Sequence, residues 1–413
     1  MKQLTYLDYK EAVDISIDAI SSINKTEFIS IGDAIDRVFA KDVECIKNLP
    51  SFNNSAMDGF AIKASDAGKK LCVRRVVFAG ESDVGTIGDG ECVKIMTGAK
   101  VPEGADTIIP IEDTLSFDGD TVEIPSEVRL GDHFRPKGEE KSEGETLFAK
   151  GERITSSMVA ILAAQGISMI EVYSELKIAV LSTGNELKEP WEVASEDQIY
   201  NSNSYAIITM LKEHGFKGHY VGVVPDSLEK SIEFINELKS YDLIITTGGI
   251  SLGDADFVAE AFTKNGLEVL FHGVKVKPGR PTMMGQMGNT FVMAMPGNPL
   301  TALVNTYLLA MPLIYKMSGS VECYHDFVYA KNMKAYKVRP KRANVVLGNL
   351  KNGEFHVTRN NKYGSGMLMP IVESNAAMIT LEEKGFVEEG EFIKVIPFGL
   401  KLKSFKSDIY NSI

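Results

Sequence analysis

Between residues 175 and 317 the chain repeats one pattern that leaves few folds open: an apolar run, a glycine- or proline-rich loop, then a helical stretch. KIAVLSTG, GHYVGVV, DLIITTGG and NTFVMAMPG are near-continuous apolar strands. SNSYAIITMLKEHG, SLEKSIEFINELKS, Phe257 to Lys264 and the stretch from Pro299 read as helices. Strands buried on both faces look this way, and their alternation with helices predicts a parallel, doubly wound α/β sheet with right-handed crossovers. The loops after these strands hold Thr183-Gly184, Gly248-Gly249-Ile250-Ser251-Leu252-Gly253 and Pro296-Gly297-Asn298-Pro299. In open α/β sheets such loops meet at the ligand crevice, and glycines there let backbone N–H groups approach an anion. Pro299 stands where the last helix begins, so the positive helix end would face a phosphate. Turn chemistry accounts for any one loop; three on one edge point to a phosphate-bearing ligand. STGNEL lacks GxGxxG and no Walker A lysine loop occurs, which lowers hydride and kinase chemistry.

The flanks have another texture. Ala12, Ile15, Ile17 and Ile20, then Ile31, Ala34, Ile35 and Val38, recur at helical spacing, as do Met158, Ile161, Leu162 and Gln165. Between them VRRVVFAG, ECVKIMTG, ADTIIPIE and TVEIP are short β-branched runs with frequent turns. After Asp326 come NVVLGNL, EFHVTR, AAMITL and EFIKVIPF. The expected organisation is a helical region over 1–45 and 139–174, an inserted β domain over 46–138, an α/β domain over 175–325 and a C-terminal β-barrel or sandwich over 326–413.

Carboxylates collect at the same strand ends: Glu186, Asp226 (which also fits a helix N-cap), Asp254 and Asp256, with Asp58 in the SAMDGF turn of the β insert. Beside an anion they would repel it unless a divalent cation lies between, and Mg²⁺ bridging carboxylates and phosphate oxygens resolves the conflict. Lys275, Lys277 and Arg280 in HGVKVKPGRP, with Arg135 and Lys137, supply cations that a net charge of -12 otherwise lacks. That charge argues against a duplex nucleic-acid partner. The first residues lack a signal-like apolar run and Leu300 to Met317 reads as a buried helix, so the expectation is a cytoplasmic protein with no membrane partner. Four cysteines without CxxC spacing read as free buried thiols, and His272 as a packed or surface histidine. No Ser-His-Asp or cysteine nucleophile is visible.

PSFNNSAMDGFA, VKIMTGAKVPEGADTIIP, FRPKGEE, LSTGNEL, DLIITTGGISLGDADF, VKVKPGRP, AMPGNP and YGSGML occur in one order along the chain. In that order and near that spacing they resemble the molybdopterin molybdenumtransferase family, to which the gephyrin C-terminal domain also belongs. The resemblance implies an elongated, L-shaped, four-part subunit and a homodimer in which one subunit's β insert faces the partner's α/β domain. It implies insertion of molybdate into adenylyl-molybdopterin with release of AMP. By position it makes Asp58 and Thr97 residues that reach the site from the partner, Arg135 its basic companion, and Glu186, Asp226 and Asp256 the acidic positions for Mg²⁺, molybdate or catalysis. Lys277 matches the lysine before PG. Pro296, Gly297, Asn298 and Pro299 match the PGNP turn, and Ser365 the serine of the GSG loop. Thr183, Gly184, Gly248, Gly249, Ser251, Gly253, Lys275 and Arg280 complete the expected substrate contacts. Asn185, Glu140 and Gly273 depart from the pattern, where members place Asp, Asp and, in some, Lys. The molybdopterin adenylyltransferase and apo-molybdoenzymes are the implied protein partners. Three other readings share the α/β domain: a molybdopterin adenylyltransferase, a gephyrin-like peptide-binding scaffold and a nucleotide pyrophosphatase. The β insert and C-terminal domain weigh against the first, and the acidic and lysine positions against the second.

Overall fold

The computed structural model describes residues 6–20, 25–225, 227–249 and 257–398. Its centre is a six-stranded sheet. We number its elements β1 Ile178–Ser182, α1 Asn203–Glu213, β2 Gly218–Val223, α2 Leu228–Glu237, β3 Leu243–Thr247, α3 Phe257–Lys264, β4 Leu267–His272, β5 Met283–Met287, β6 Thr290–Met295 and α4 Pro299–Asn305. The strand order is β2-β1-β3-β6-β5-β4. β2, β1, β3 and β6 are mutually parallel, as the alternation predicts. β5 and β4 extend the sheet antiparallel from β6. That edge escaped the sequence reading because MMGQM and LEVLFH are short, and no helix separates β5 from β6 to mark a crossover.

The sheet is covered on both faces. Ile178, Val180, Leu243, Ile245, Met293 and Met295 pack against α1 and the run from Pro299. Ala179, Leu181, Ile244, Val292 and Ala294 pack against α2 and α3. The two faces alternate along each strand because successive side chains point to opposite sides. The run Pro299–Met317 is, among the described residues, the one stretch long and apolar enough to cross a membrane, and 78% of it is buried inside the molecule. Ser227 caps α2 by accepting from the Lys230 N–H, so the cap is Ser227 and not Asp226, which lies outside the described residues.

The N-terminal region differs from its expectation. The helix Tyr9–Asp18 forms, but Ala12, Val13 and Ile17 bury against the α/β core. Thr26–Ser30 is a strand paired antiparallel with Met169–Tyr173, and Ile31–Asp33 is a single 3₁₀ turn. Asp36 adopts φ 65°, a left-handed conformation that no helix tolerates in its interior, so the pattern Ile31, Ala34, Ile35, Val38 cannot continue as one. Ala34 and Phe39 instead pack with Ile154, Leu162, Ile170 and Val172 around the helix Ser156–Gln165.

The β insert is a six-stranded sheet in the order 107–110, 59–62, 91–95, 70–77, 121–123, 116–117, with a small core on each face. Cys72 on its strand 70–77 is exposed, while Cys45, Cys92 and Cys323 are buried, which corrects the expectation of four buried thiols. At the C-terminal end, strands 343–351, 354–357, 328–332, 392–397 and 376–379 pair in a ring that returns to 343–351, closing a five-stranded barrel. The barrel docks on the α/β layer through Val276–Lys277, which pairs parallel with Ala343–Asn344.

Gly273 sits at φ +98°, and a Cβ there would lie 2.2 Å from the Tyr6 ring. A lysine at this position would collide with that ring, which accounts for one of the departures noted above. Gly273→Ala is expected to lower stability by about 1–3 kcal/mol through clash and left-handed strain, read as a drop in the urea midpoint at constant slope.

Candidate active site

The carboxyl ends of β1, β2, β3 and β6 open into a cleft of about 920 Å³. Thr183, Gly184, Asn185 and Glu186 after β1, Gly248 and Gly249 after β3, and Gly297, Asn298 and Pro299 after β6 all line it. The loops lie close on one another. Gly248 and Gly249, at φ +83° and +63°, leave no room for a Cβ, which would fall 2.7 and 2.6 Å from the Thr183 hydroxyl oxygen. Thr183 N–H donates to the Thr247 carbonyl at 3.1 Å, and Gly248 N–H to that of Met295 at 2.9 Å. Asn203 Nδ2 donates to the Gly297 carbonyl at 2.8 Å, which ties α1 to the PGNP turn. Pro299 is the first residue of its helix, as expected.

A second cavity of about 480 Å³ adjoins the first at Asn298. Lys277, Arg280, Pro296, Asn298 and Ser365, all anticipated, line it together with Arg339, Asn344 and Tyr363, which were not. Asn298 Nδ2 donates to Ser365 Oγ at 3.0 Å, and Leu300 N–H donates to the Ser365 carbonyl at 3.1 Å, so the barrel's GSG loop sits on the start of α4. The KPGRP turn is pinned from beneath, where Asn305 Nδ2 donates to the Gly279 carbonyl at 3.0 Å and to Thr282 Oγ1 at 2.6 Å. Partial burial, then the charges of Arg339 and Arg342, push the Lys277 ammonium below the usual lysine range. Three cations with a depressed lysine among them make a pocket that gains energy by accepting an anion. Arg339 was missed because it lies over sixty positions beyond Lys277 in sequence; the basic run VRPKR was its only signal.

The remaining expected residues are placed elsewhere. Lys275 lines neither cavity; it pairs with Asp8 at 2.5 Å and with Glu382 at 4.0 Å, joining the N-terminal helix to the barrel. Arg280 lines the second cavity while stacking 3.7 Å from the Tyr6 ring centroid. Asp58 and Thr97 meet in the β insert, where Asp58 Oδ1 accepts from both the N–H and the hydroxyl of Thr97 at 2.7 Å. Those two bonds hold the Asp58 carboxyl below the usual carboxylate range. Arg135 pairs with Asn54 on the same edge and is bound to Glu139 and Glu140. None of Asp58, Thr97 and Arg135 lines either cavity of its own chain. Asp226, Ser251, Gly253, Asp254 and Asp256 lie outside the described residues. Among the described residues no three His, Cys, Asp or Glu side chains gather as a metal cluster, and Glu186 is the one carboxylate lining the first cleft. His272 is half-buried, and burial lowers its pKa.

A doubly wound α/β layer with a glycine-loop cleft at its strand ends, joined to a basic cavity that a closed barrel completes, defines a multidomain α/β protein with a site suited to an anion. Residues 7–166 match the MoeA N-terminal region (domain I and II), 179–316 the probable molybdopterin binding domain and 329–398 the MoeA C-terminal region (domain IV). The chain is 33% identical over 385 residues to the molybdopterin molybdenumtransferase of Haemophilus influenzae, covering 91% of this chain and 94% of that protein. It is 32% identical over 301 residues to that of Bacillus subtilis, covering 70% of each. The crystal structure of a molybdopterin biosynthesis moeA protein from Pyrococcus horikoshii superposes with a TM-score of 0.83 at 27% identity, over 95% of this chain and all of that one. The chain belongs to the molybdopterin molybdenumtransferase family, a family of enzymes of molybdenum cofactor biosynthesis.

Proposed function

We propose that the chain binds adenylyl-molybdopterin along the strand-end cleft and molybdate in the adjoining basic cavity, and joins the two with release of AMP. The observation that carries this reading is the meeting of the cavities at Asn298: a glycine-loop crevice suited to a phosphoanhydride opens beside a pocket whose Lys277, Arg280 and Arg339 suit a dianion. The backbone N–H groups of the three loops and the first turn of α4 orient the phosphates. Lys277, Arg280 and Arg339 hold molybdate and neutralise its charge. Asp58, Thr97 and Arg135 come from a second subunit, because on their own chain they line neither cavity; this makes the working unit a homodimer.

The donor chemistry at the cleft fits a hard divalent cation. Glu186 lines the cleft, Asp226 directly follows the lining residue Pro225, and Asp256 directly precedes the lining residue Phe257. Mg²⁺ held by these carboxylates would offset the charge of the phosphoanhydride and polarise it. Without the cation the same carboxylates would repel the ligand. The test is turnover of adenylyl-molybdopterin with molybdate, followed by AMP. Excess chelator should reduce AMP release to background, and added Mg²⁺ should restore it. Full release in chelator would return Glu186, Asp226 and Asp256 to caps and surface charges.

A further inference from the structure

Large apolar side chains are exposed in the strand-end cleft beside its polar loops. Ile199 is 58% exposed, Tyr200 50% and Phe257 49%, and all three line the strand-end cleft. Tyr200 ends a flap that starts at Leu187, after the loop that follows β1, and returns beside itself, with Leu187–Lys188 paired parallel to Ile199–Tyr200. Tyr200 lies three positions before the start of α1, which covers one face of the sheet, while Phe257 opens α3, which covers the other. Two aromatic rings therefore enter one cleft from opposite faces of the sheet.

The flap is anchored by one carboxylate. Glu189 accepts from the Tyr205 hydroxyl of α1 at 2.9 Å, from the Tyr220 hydroxyl of β2, and from Asn201 Nδ2 at 3.4 Å. Asn201 is 2% exposed, accepts from Ser182 Oγ at 3.1 Å and donates to the Tyr220 hydroxyl at 3.0 Å. Ser182 in turn meets Ser204 and Thr247 at 2.7 and 3.2 Å. One hydrogen-bonded network thus runs from Glu189 in the flap to Thr247 at the end of β3, directly before the glycine loop. Removing this carboxylate takes the acceptor from the Tyr205 and Tyr220 hydroxyls, so the flap's position depends on this residue. Glu192 closes the flap on itself, accepting from Glu189 N–H at 2.7 Å, while its carbonyl accepts from the Tyr200 hydroxyl at 3.2 Å.

We propose that Tyr200 and Phe257 are the specificity-determining jaw that stacks on a flat heterocycle of the substrate, and that Glu189 is the positioning residue that sets the Tyr200 side of it. This rests on the reading of the cleft as the adenylyl-molybdopterin site and adds which residues take the ring. The substrate carries two such rings, adenine and pterin, and the jaw's chemistry suits either. Stacking of a base on an aromatic side chain is sequence-tolerant because every such ring has a π-face.

The protein supplies its own probe, since Trp191 is its only tryptophan, lies in the flap and meets the Tyr205 ring edge-on at 6.4 Å. Trp191 emission is titrated with AMP, with a pterin monophosphate and with ribose 5-phosphate, which has the phosphate but no heterocycle. Tyr200→Ala and Phe257→Ala should each weaken one ring-bearing ligand by about tenfold to a hundredfold, leave ribose 5-phosphate unchanged and so report which ring the jaw holds. Tyr200→Phe, which keeps the ring, should bind that ligand within about threefold of the parent protein. Glu189→Gln should shift Trp191 emission before any ligand is added and weaken the same ligand severalfold. Equal weakening of ribose 5-phosphate, or none for either ring-bearing ligand, overturns the jaw while leaving the cleft reading intact. An unchanged emission and affinity in Glu189→Gln overturn the positioning role. A parent protein that binds neither AMP nor the pterin overturns the cleft reading and the jaw with it.

Discussion

Asp58→Asn is expected to lower AMP release by about two to four orders of magnitude while leaving the thermal midpoint and the oligomeric state of the protein unchanged. The asparagine oxygen can still accept from the N–H and hydroxyl of Thr97, which both bond Asp58 Oδ1 at 2.7 Å, so the local turn survives. What disappears is a charge. The Thr97 bonds hold the Asp58 carboxyl below the usual range, so it is ionised across neutral pH and acts as a fixed anion better than as a proton acceptor. A local turn role would leave turnover near the parent rate, and that result would remove Asp58 from the site. Because Asp58 lines neither cavity of its own chain, its effect should be felt in the partner. Mixing inactive Asp58→Asn with inactive Glu186→Gln protein gives heterodimers in which one composite site carries both lesions and the other neither. After full subunit exchange about a quarter of the parent activity should return. Exchange without any recovery would mean that each site is built within one chain.

Lys277→Ala is expected to raise the KM for molybdate by about tenfold to a hundredfold, the value of a charge-assisted contact to a small anion, and to weaken AMP binding far less. AMP keeps the glycine loops and Pro299 at the start of α4, which line the other cavity. Lys277→Arg should rescue poorly, because a planar guanidinium cannot replace a compact ammonium with Arg280 and Arg339 already in the cavity. The pH dependence has a definite sign. Partial burial and the neighbouring arginines lower the Lys277 pKa, so its charge is lost at lower pH than that of an ordinary lysine as pH rises. Apparent molybdate affinity should therefore fall on the alkaline side earlier than an unperturbed lysine would allow, and Lys277→Ala should flatten that limb. Bound molybdate favours the protonated amine and should move the limb upward at saturating concentration. An unchanged alkaline limb in Lys277→Ala would assign the titration to another group.

The strand-end cleft was legible because its parts are local. Apolar run, glycine loop and helix follow one another within each unit, and right-handed parallel crossovers bring all the loops to one edge. Glu186 and the PGNP turn were found this way. The second cavity was only half legible. Lys277 and Arg280 share one segment, whereas Arg339 and Tyr363 come from the barrel, and nothing local in their segments says where the barrel will dock. Lys275 shows the opposite failure. Two positions from Lys277 and equally basic, it pairs with Asp8 and Glu382, partners that come from the far ends of the chain. Periodicity misled over residues 31–38, where a helical pattern served a 3₁₀ turn and a left-handed Asp36 packed on a neighbouring strand pair.

By itself, then, the sequence determined the doubly wound layer, the loops on its carboxyl edge and the family, because each depends on short-range patterns of hydrophobicity and turn chemistry and on ordered motifs. Only the tertiary structure decided that β5 and β4 extend the sheet antiparallel, that Arg339 joins Lys277, that Lys275 is held away from the cavities, and that Glu189 ties the Tyr200 flap to α1 and β2. Each of these is a pairing between segments distant in sequence. Such pairings are selected by which buried faces and charges match once the chain has collapsed, and no local pattern carries that information.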